Sequence, residues 1–205
     1  MIESCIGQKK KQEICSKYYV RPIAFTKLLN GQTKNGCCGL LTDRYYTFGY
    51  TDPSAEERLW DYFFVGHHCA SDLLSILGLP PLPLFNPLSQ TSKKQYDIND
   101  DASASKSNVH PLNKELISAI NLLCISWNTI PKSRLGPILE FTRNRMSQAN
   151  TQGVLRLNEI IARDRRQRTL RQMINELAVH NELRNFEFKT INELIDSKGI
   201  ENRIR

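Results

Sequence analysis

The chain has 205 residues, and its 28 Lys+Arg against 21 Asp+Glu leave a formal net charge of +7. With 40% hydrophobic and 24% charged residues, it is too apolar for a wholly disordered chain and too polar for a membrane bundle. The N-terminus, MIESCIGQKKKQEIC, lacks the apolar centre of a secretion signal, and no stretch reaches the roughly 18 uninterrupted apolar residues of a spanning helix; a cytoplasmic address and no membrane contact are expected.

In chain order, Leu40–Tyr50 (LLTDRYYTFGY) is rich in aromatic and β-compatible residues around a turn at Asp43, which predicts a short hairpin. Asp52 can cap a helix that takes Pro53 at its first position and runs through Glu56, Leu59, Trp60 and Phe63 to a stop at Gly66. A second helix is expected from near His67 through Leu73, Leu74 and Leu77, with Gly78 and Pro80 ending it. The run LGLPPLPLFNPL then carries Pro80, Pro81, Pro83 and Pro87, which favour an extended strap laying Leu82, Leu84 and Phe85 over a core. Thr91 to Asn108 is polar and Ser- and Asp-rich, with Tyr96 its only aromatic, and reads as a linker.

Beyond it the pattern is helical. Leu112, Leu116, Ile120, Leu123 and Trp127 recur at steps of four, four, three and four, so Pro111–Trp127 buries one face, with Cys124 near it. Further helices are predicted over Leu135–Met146, Val154–Arg163 and Leu170–Val179, the last opened by a Thr169/Gln172 capping box. A second box, Thr190/Glu193, opens a final helix that stops at Gly199, and Phe186 and Phe188 before it alternate like a short strand. The expected class is therefore mainly α: a small α+β N-terminal module with a short hairpin over residues 1–90, a linker over 91–109, and a basic helical domain over 110–205.

Six cysteines and four histidines are unevenly spread, since Cys5, Cys15, Cys37, Cys38 and Cys69 and the pair His67, His68 all precede residue 70. Without a secretion signal a disulfide framework is disfavoured and a metal or catalytic reading gains. A Gly-flanked cysteine turn (Asn35-Gly36-Cys37-Cys38-Gly39), a hairpin, and Gly66-His67-His68-Cys69-Ala70 opening a helix follow one another over roughly Cys15 to Leu77. This order resembles a treble-clef zinc domain, in which a knuckle supplies two ligands and the first turn of a helix two more. The resemblance implies zinc as cofactor, with Cys38 as a knuckle ligand and Cys69 with His67 or His68 at the helix start. The usual two-residue gap between paired ligands is missing on both sides, which leaves a fourth ligand to Cys37, Cys15 or Cys5. Two other readings stand beside this one. The cysteines can be buried core residues, or Cys69 in a helix's first turn, beside an imidazole base, can be the activated nucleophile of a cysteine-dependent enzyme.

Charge is patchy. Residues 1–50 hold eight basic and three acidic residues and residues 51–101 the reverse, so they cancel. From Lys132 to Arg171, Lys132 and nine arginines, including Arg143, Arg145, Arg163, Arg165, Arg166, Arg168 and Arg171, face only Glu140, Glu159 and Asp164. Arginine's planar fork suits bidentate contact with phosphate. No Walker loop, dinucleotide glycine motif, HExxH or GxSxG occurs. The expected function is that of a non-enzymatic nucleic-acid-associated protein, DNA or RNA, with a zinc-stapled N-terminal module. The alternatives are a module binding an acidic protein and the Cys69 enzyme.

Overall fold

Clusters of aromatic and β-branched residues set the strands of the N-terminal part. The computed structural model of the chain describes residues 2, 4–54, 60–89 and 109–205. These fall into two compact units, Met1–Pro87 and Leu88–Arg205. The first unit opens with α1 (Gln8–Lys17) and continues through β1 (Tyr19–Lys27), β2 (Lys34–Gly36), β3 (Gly39–Leu41), β4 (Arg44–Thr51), β5 (Asp61–Val65) and α2 (His67–Leu77). β4 is the central strand of an antiparallel sheet in the order β1-β4-β5, and β2 and β3 form a separate two-stranded hairpin.

The aromatic run in β4 explains its central place. Tyr45 through Thr51 are all buried, as expected of a strand covered on both faces. Tyr46 stacks on Phe25 of β1 at 4.1 Å, and Phe48 on Phe63 of β5 at 5.6 Å. Val65, Ala70 and Leu73 complete this core without solvent exposure. Burying each large side chain is worth roughly 2 kcal/mol. Pro22 sits in the edge strand β1, where the register with β4 shifts between Pro22 and Ala24. That placement suits a residue with no N–H to donate.

Three sequence expectations are corrected here. The fold is mixed α+β rather than mainly α, because the described residues carry five strands beside seven helices. The helix expected from Asp52 to Gly66 gives way to β5 over Asp61–Val65, paired antiparallel with β4; residues 55–59 of that expectation lie outside the described residues. Asp52 does cap, but locally: its carboxylate accepts from the Ser54 N–H at 2.9 Å and hydroxyl at 2.6 Å. The hairpin expected over Leu40–Tyr50 is displaced too. Leu41 pairs back with Lys34, whereas β4 pairs with β1 and β5, which bury its aromatic rings better than β3 could. The predicted linker over 91–108 also lies outside the described residues.

In the second unit, α3 (Pro111–Ser126) packs against α4 (Leu135–Asn144), α5 (Thr151–Ile161), α6 (Leu170–Ala178) and α7 (Lys189–Ser197). Leu116, Ala119, Ile120, Leu122 and Leu123 are fully buried, so α3 hides more than the single stripe its periodicity indicates. The Thr169/Gln172 capping box forms as read, with both reciprocal bonds present. The Thr190/Glu193 box does not. The last helix begins at Lys189, and its free N–H groups at Thr190 and Ile191 donate to the Glu115 carboxylate of α3 at 3.1 and 2.9 Å. An acidic side chain at a helix N-terminus satisfies orphan donors and meets the positive end of the dipole. No helix among the described residues is long and apolar enough to cross a membrane.

The capping role of Glu115 is testable by urea unfolding of the full chain. Glu115→Ala is expected to lower stability by about 1 kcal/mol, and Glu115→Gln, which keeps an acceptor, by less; equal losses would show that its acceptor atoms are not what matters.

Candidate metal centre

Three separated segments of the first unit bring sulfur to one place. Cys5 lies in the segment before α1 and is completely buried. Gly7, at a φ of 84°, then turns the chain into that helix. The β2–β3 register pairs Gly36 with Gly39, which leaves Cys37 and Cys38 as the two-residue turn between them. The turn is pinned to β5 by the Cys37 N–H, which donates to the Phe64 carbonyl at 2.9 Å. Gly36 allows this approach: a Cβ there would stand 2.8 Å from Leu41 Cδ1 and 3.0 Å from the Phe64 oxygen. β5 then ends at Val65, and Cys69 is the third residue of α2, in its first turn.

The sulfurs converge closely. Cys5 Sγ is 2.8 Å from Cys38 Sγ, Cys38 Sγ is 3.2 Å from Cys69 Sγ, and Cys37 Sγ is 3.9 Å from Cys38 Sγ. Cys5 and Cys37 are within disulfide distance, with Cα atoms 5.8 Å apart. The ligand atoms of Cys5, Cys38 and Cys69 lie within 4.8 Å of one another, and this group can hold a metal ion. Metal–sulfur bonds of about 2.3 Å at tetrahedral angles would place sulfurs about 3.8 Å apart, so the Cys5–Cys38 and Cys38–Cys69 pairs, at 2.8 and 3.2 Å, would spread modestly, while Cys37 could join them only once parted from Cys5. Burial pushes the Cys38 thiol up to about 11, helped by its hydrogen bond and charge coupling with Cys69. Lys11 of α1 is buried beside them and donates to Asp72 of α2 at 2.6 Å. That hydrogen bond holds its ammonium above lysine's ordinary value against the opposing effect of burial, and the charges of Cys69 and Cys38 add to it.

The five residues expected as ligands therefore divide. Cys38 and Cys69 belong to the sulfur group and Cys37 adjoins it, while His67 and His68 stay outside, both exposed. His67 stacks on Phe25 with ring centres 5.8 Å apart, and burial, then the charges of Arg44 and His68, lower its pKa. The hydrogen-bond partner of Cys69 is the Cys38 sulfur rather than an imidazole. Cys15, on α1, lies apart from the group, half-buried, and burial raises its thiol. Cys124 is a core residue of α3, with its thiol pushed up to about 12 by burial. Sequence spacing left Cys5 as one of three choices for a fourth ligand; its place in the group depends on a fold that brings it to Cys38 across 33 residues of chain.

The arginine-rich stretch also divides. Asp164, between α5 and α6, is 5% exposed and accepts from Arg168 Nη2 at 2.9 Å and Nε at 3.0 Å, and from Trp127 Nε1 at 2.8 Å. Arg168 hydrogen bonds hold its carboxyl well below the usual carboxylate range. Arg168 also reaches Glu176 at 2.7 Å, which Arg166 shares at 2.8 Å. Arg171 donates to the Phe186 carbonyl, Arg145 lies over the Phe141 ring at 4.7 Å, and Arg143 is half-buried. Arg163 and Arg165 are exposed and make no ion pair among the described residues.

The fold and site thus define a protein with a cysteine cluster in an α+β unit, followed by a helical unit whose basic residues are partly built into its own loops. The chain belongs to the family described as Uncharacterised conserved protein UCP028583, which it matches over residues 4–198. Neither the curated proteins nor the solved structures contain a match to it.

The division among the arginines has a direct consequence. Arg168→Ala leaves a buried carboxylate uncompensated and is expected to cost about 3 kcal/mol at pH 7, whereas Arg165→Ala should stay within about 0.5 kcal/mol. The contribution of Asp164 is complete above about pH 4, the unfolded aspartate value, and falls as pH drops toward its depressed folded value. Acid unfolding of Arg168→Ala followed by circular dichroism should accordingly show a weaker pH dependence than the parent; an unchanged profile would contradict the pairing.

Proposed function

We propose that the chain is a non-enzymatic, nucleic-acid-associated protein whose N-terminal unit is stapled by one zinc ion. The observation that carries the reading is the convergence of the Cys5, Cys38 and Cys69 sulfurs, with Cys37 adjoining as the fourth donor of a tetrahedral set. An all-sulfur donor set suits a soft or borderline cation, and four thiolates with no open position characterise a structural zinc site. The local order, a cysteine turn at Cys37-Cys38, the antiparallel β4–β5 pair and a helix with Cys69 in its first turn, supports a treble-clef-like arrangement. It differs in taking a ligand from the segment before α1 in place of histidine.

The nucleic-acid half of the proposal rests on Arg163 and Arg165. Both are exposed and make no ion pair among the described residues, which supports a charge available to phosphate, and contacts of that kind carry little sequence preference. An acidic protein surface would meet the same two side chains, and the binding assay below separates the two partners.

Elemental analysis of protein purified under reducing conditions without chelators is expected to give one zinc per chain. A Cys38→Ser, Cys69→Ser double variant should lose it along with the stability of the first unit; zinc retained in that variant, or none in the parent, would overturn the stapled module. For the second half, Arg163→Glu with Arg165→Glu should weaken binding to a short duplex and reduce the salt dependence of log K by about 2, one for each phosphate contact. Undiminished binding by this variant, or a parent chain that is not retained on DNA or RNA at low salt but holds an acidic protein after nuclease treatment, would remove the nucleic-acid assignment.

A further inference from the structure

Resting on the zinc reading above, we infer that Cys5 is shared between two mutually exclusive states of the sulfur cluster, so that oxidation of Cys5 with Cys37 expels the metal and reduction restores its site. Cys5 Sγ is placed to bond Cys37, with the Cα separation of 5.8 Å inside the range a disulfide spans, yet it also stands 2.8 Å from Cys38 Sγ in the group able to hold a metal. One sulfur cannot do both, because a disulfide sulfur carries no thiolate charge and is a poor ligand. The adjacency of Cys37 and Cys38 is what creates the choice. A two-residue turn presents both sulfurs beside Cys5.

Within the Cys5–Cys37 pair, exposure sets the order of events: Cys5 is fully buried, and Cys37 is partly accessible at the hairpin tip. The oxidant is a hydroperoxide. The Cys37 thiolate attacks its terminal oxygen, breaking the O–O bond, and becomes a sulfenic acid while the leaving alkoxide or hydroxide takes a proton. The Cys5 thiolate then attacks Cys37 Sγ, forming the S–S bond and expelling hydroxide, which also takes up a proton. With hydrogen peroxide, two thiolates, one peroxide and two protons give one disulfide and two waters, the sulfur pair losing the two electrons that the peroxide gains. Zinc is left with Cys38 and Cys69 alone and dissociates, and those two sulfurs are reprotonated. A dithiol reverses the change by thiol–disulfide exchange, becoming a disulfide itself.

The test is titration of the zinc-loaded, reduced chain with hydrogen peroxide, reading zinc with a chromogenic chelator and disulfides by peptide mass mapping. One zinc released per peroxide consumed, a mapped Cys5–Cys37 bond, and recovery of zinc binding after dithiothreitol are expected. Cys37→Ser, which can still bind zinc through three thiolates and water, should release it at least tenfold more slowly. Release at the parent rate in Cys37→Ser, a first disulfide between other cysteines, or an oxidised chain that keeps its zinc would overturn the switch while leaving the zinc reading intact. A reduced chain that takes up no zinc would overturn both.

Discussion

The N-terminal unit depends on holding together three segments that the chain places far apart. Cys5 and Cys38 are 33 residues apart and Cys38 and Cys69 are 31. A sheet of three strands and two helices in under ninety residues buries a modest core, and units of that size commonly need a staple. Closing a loop of about thirty residues removes roughly 4 kcal/mol of chain entropy from the unfolded state. A metal held by the cluster would therefore fix more than the cluster itself. It would tie the segment before α1, the β2–β3 turn and the start of α2 together, beside the end of β5, where the Cys37 N–H already meets the Phe64 carbonyl.

The basic charge of the second unit is used in two ways. Asp164, Arg168 and Glu176 form a partly buried network that also engages Trp127 just past the end of α3, and it shapes the connection from α5 to α6. A carboxylate so placed requires a cation, so part of the arginine excess is structural before any partner is considered. Glu115 spends an acidic residue in the same manner, as a cap for α7. Arg163 and Arg165, by contrast, are exposed and make no ion pair among the described residues, and they are the side chains on which the proposed phosphate contact rests.

Features governed by near neighbours were legible in the sequence. The α2 start at His67 with its Gly78 stop, the α3 stripe and the Thr169/Gln172 box all follow from residues within a turn or two of one another. Features decided by tertiary context were not. The apolar spacing through Trp60 and Phe63 fits a helix, yet antiparallel pairing with β4 buries Phe63 better as a strand. The cap of α7 comes from 75 residues away, beyond any local motif. At the candidate site the cysteine turn and Cys69 were readable from their flanking glycines and helix position, but Cys5 was one choice among three, and His67 and His68, singled out for their place beside Cys69 at the helix start, lie outside the sulfur group. Net charge likewise summed arginines that the fold separates into buried pairs and free surface.

X-ray absorption at the zinc edge, on the reduced chain purified without chelators, tests the central claim most directly because it reads the donor atoms themselves. The account predicts four sulfur neighbours at about 2.3 Å and no histidine scattering. A first shell containing imidazole nitrogen, or one dominated by oxygen, would contradict a staple made by Cys5, Cys37, Cys38 and Cys69.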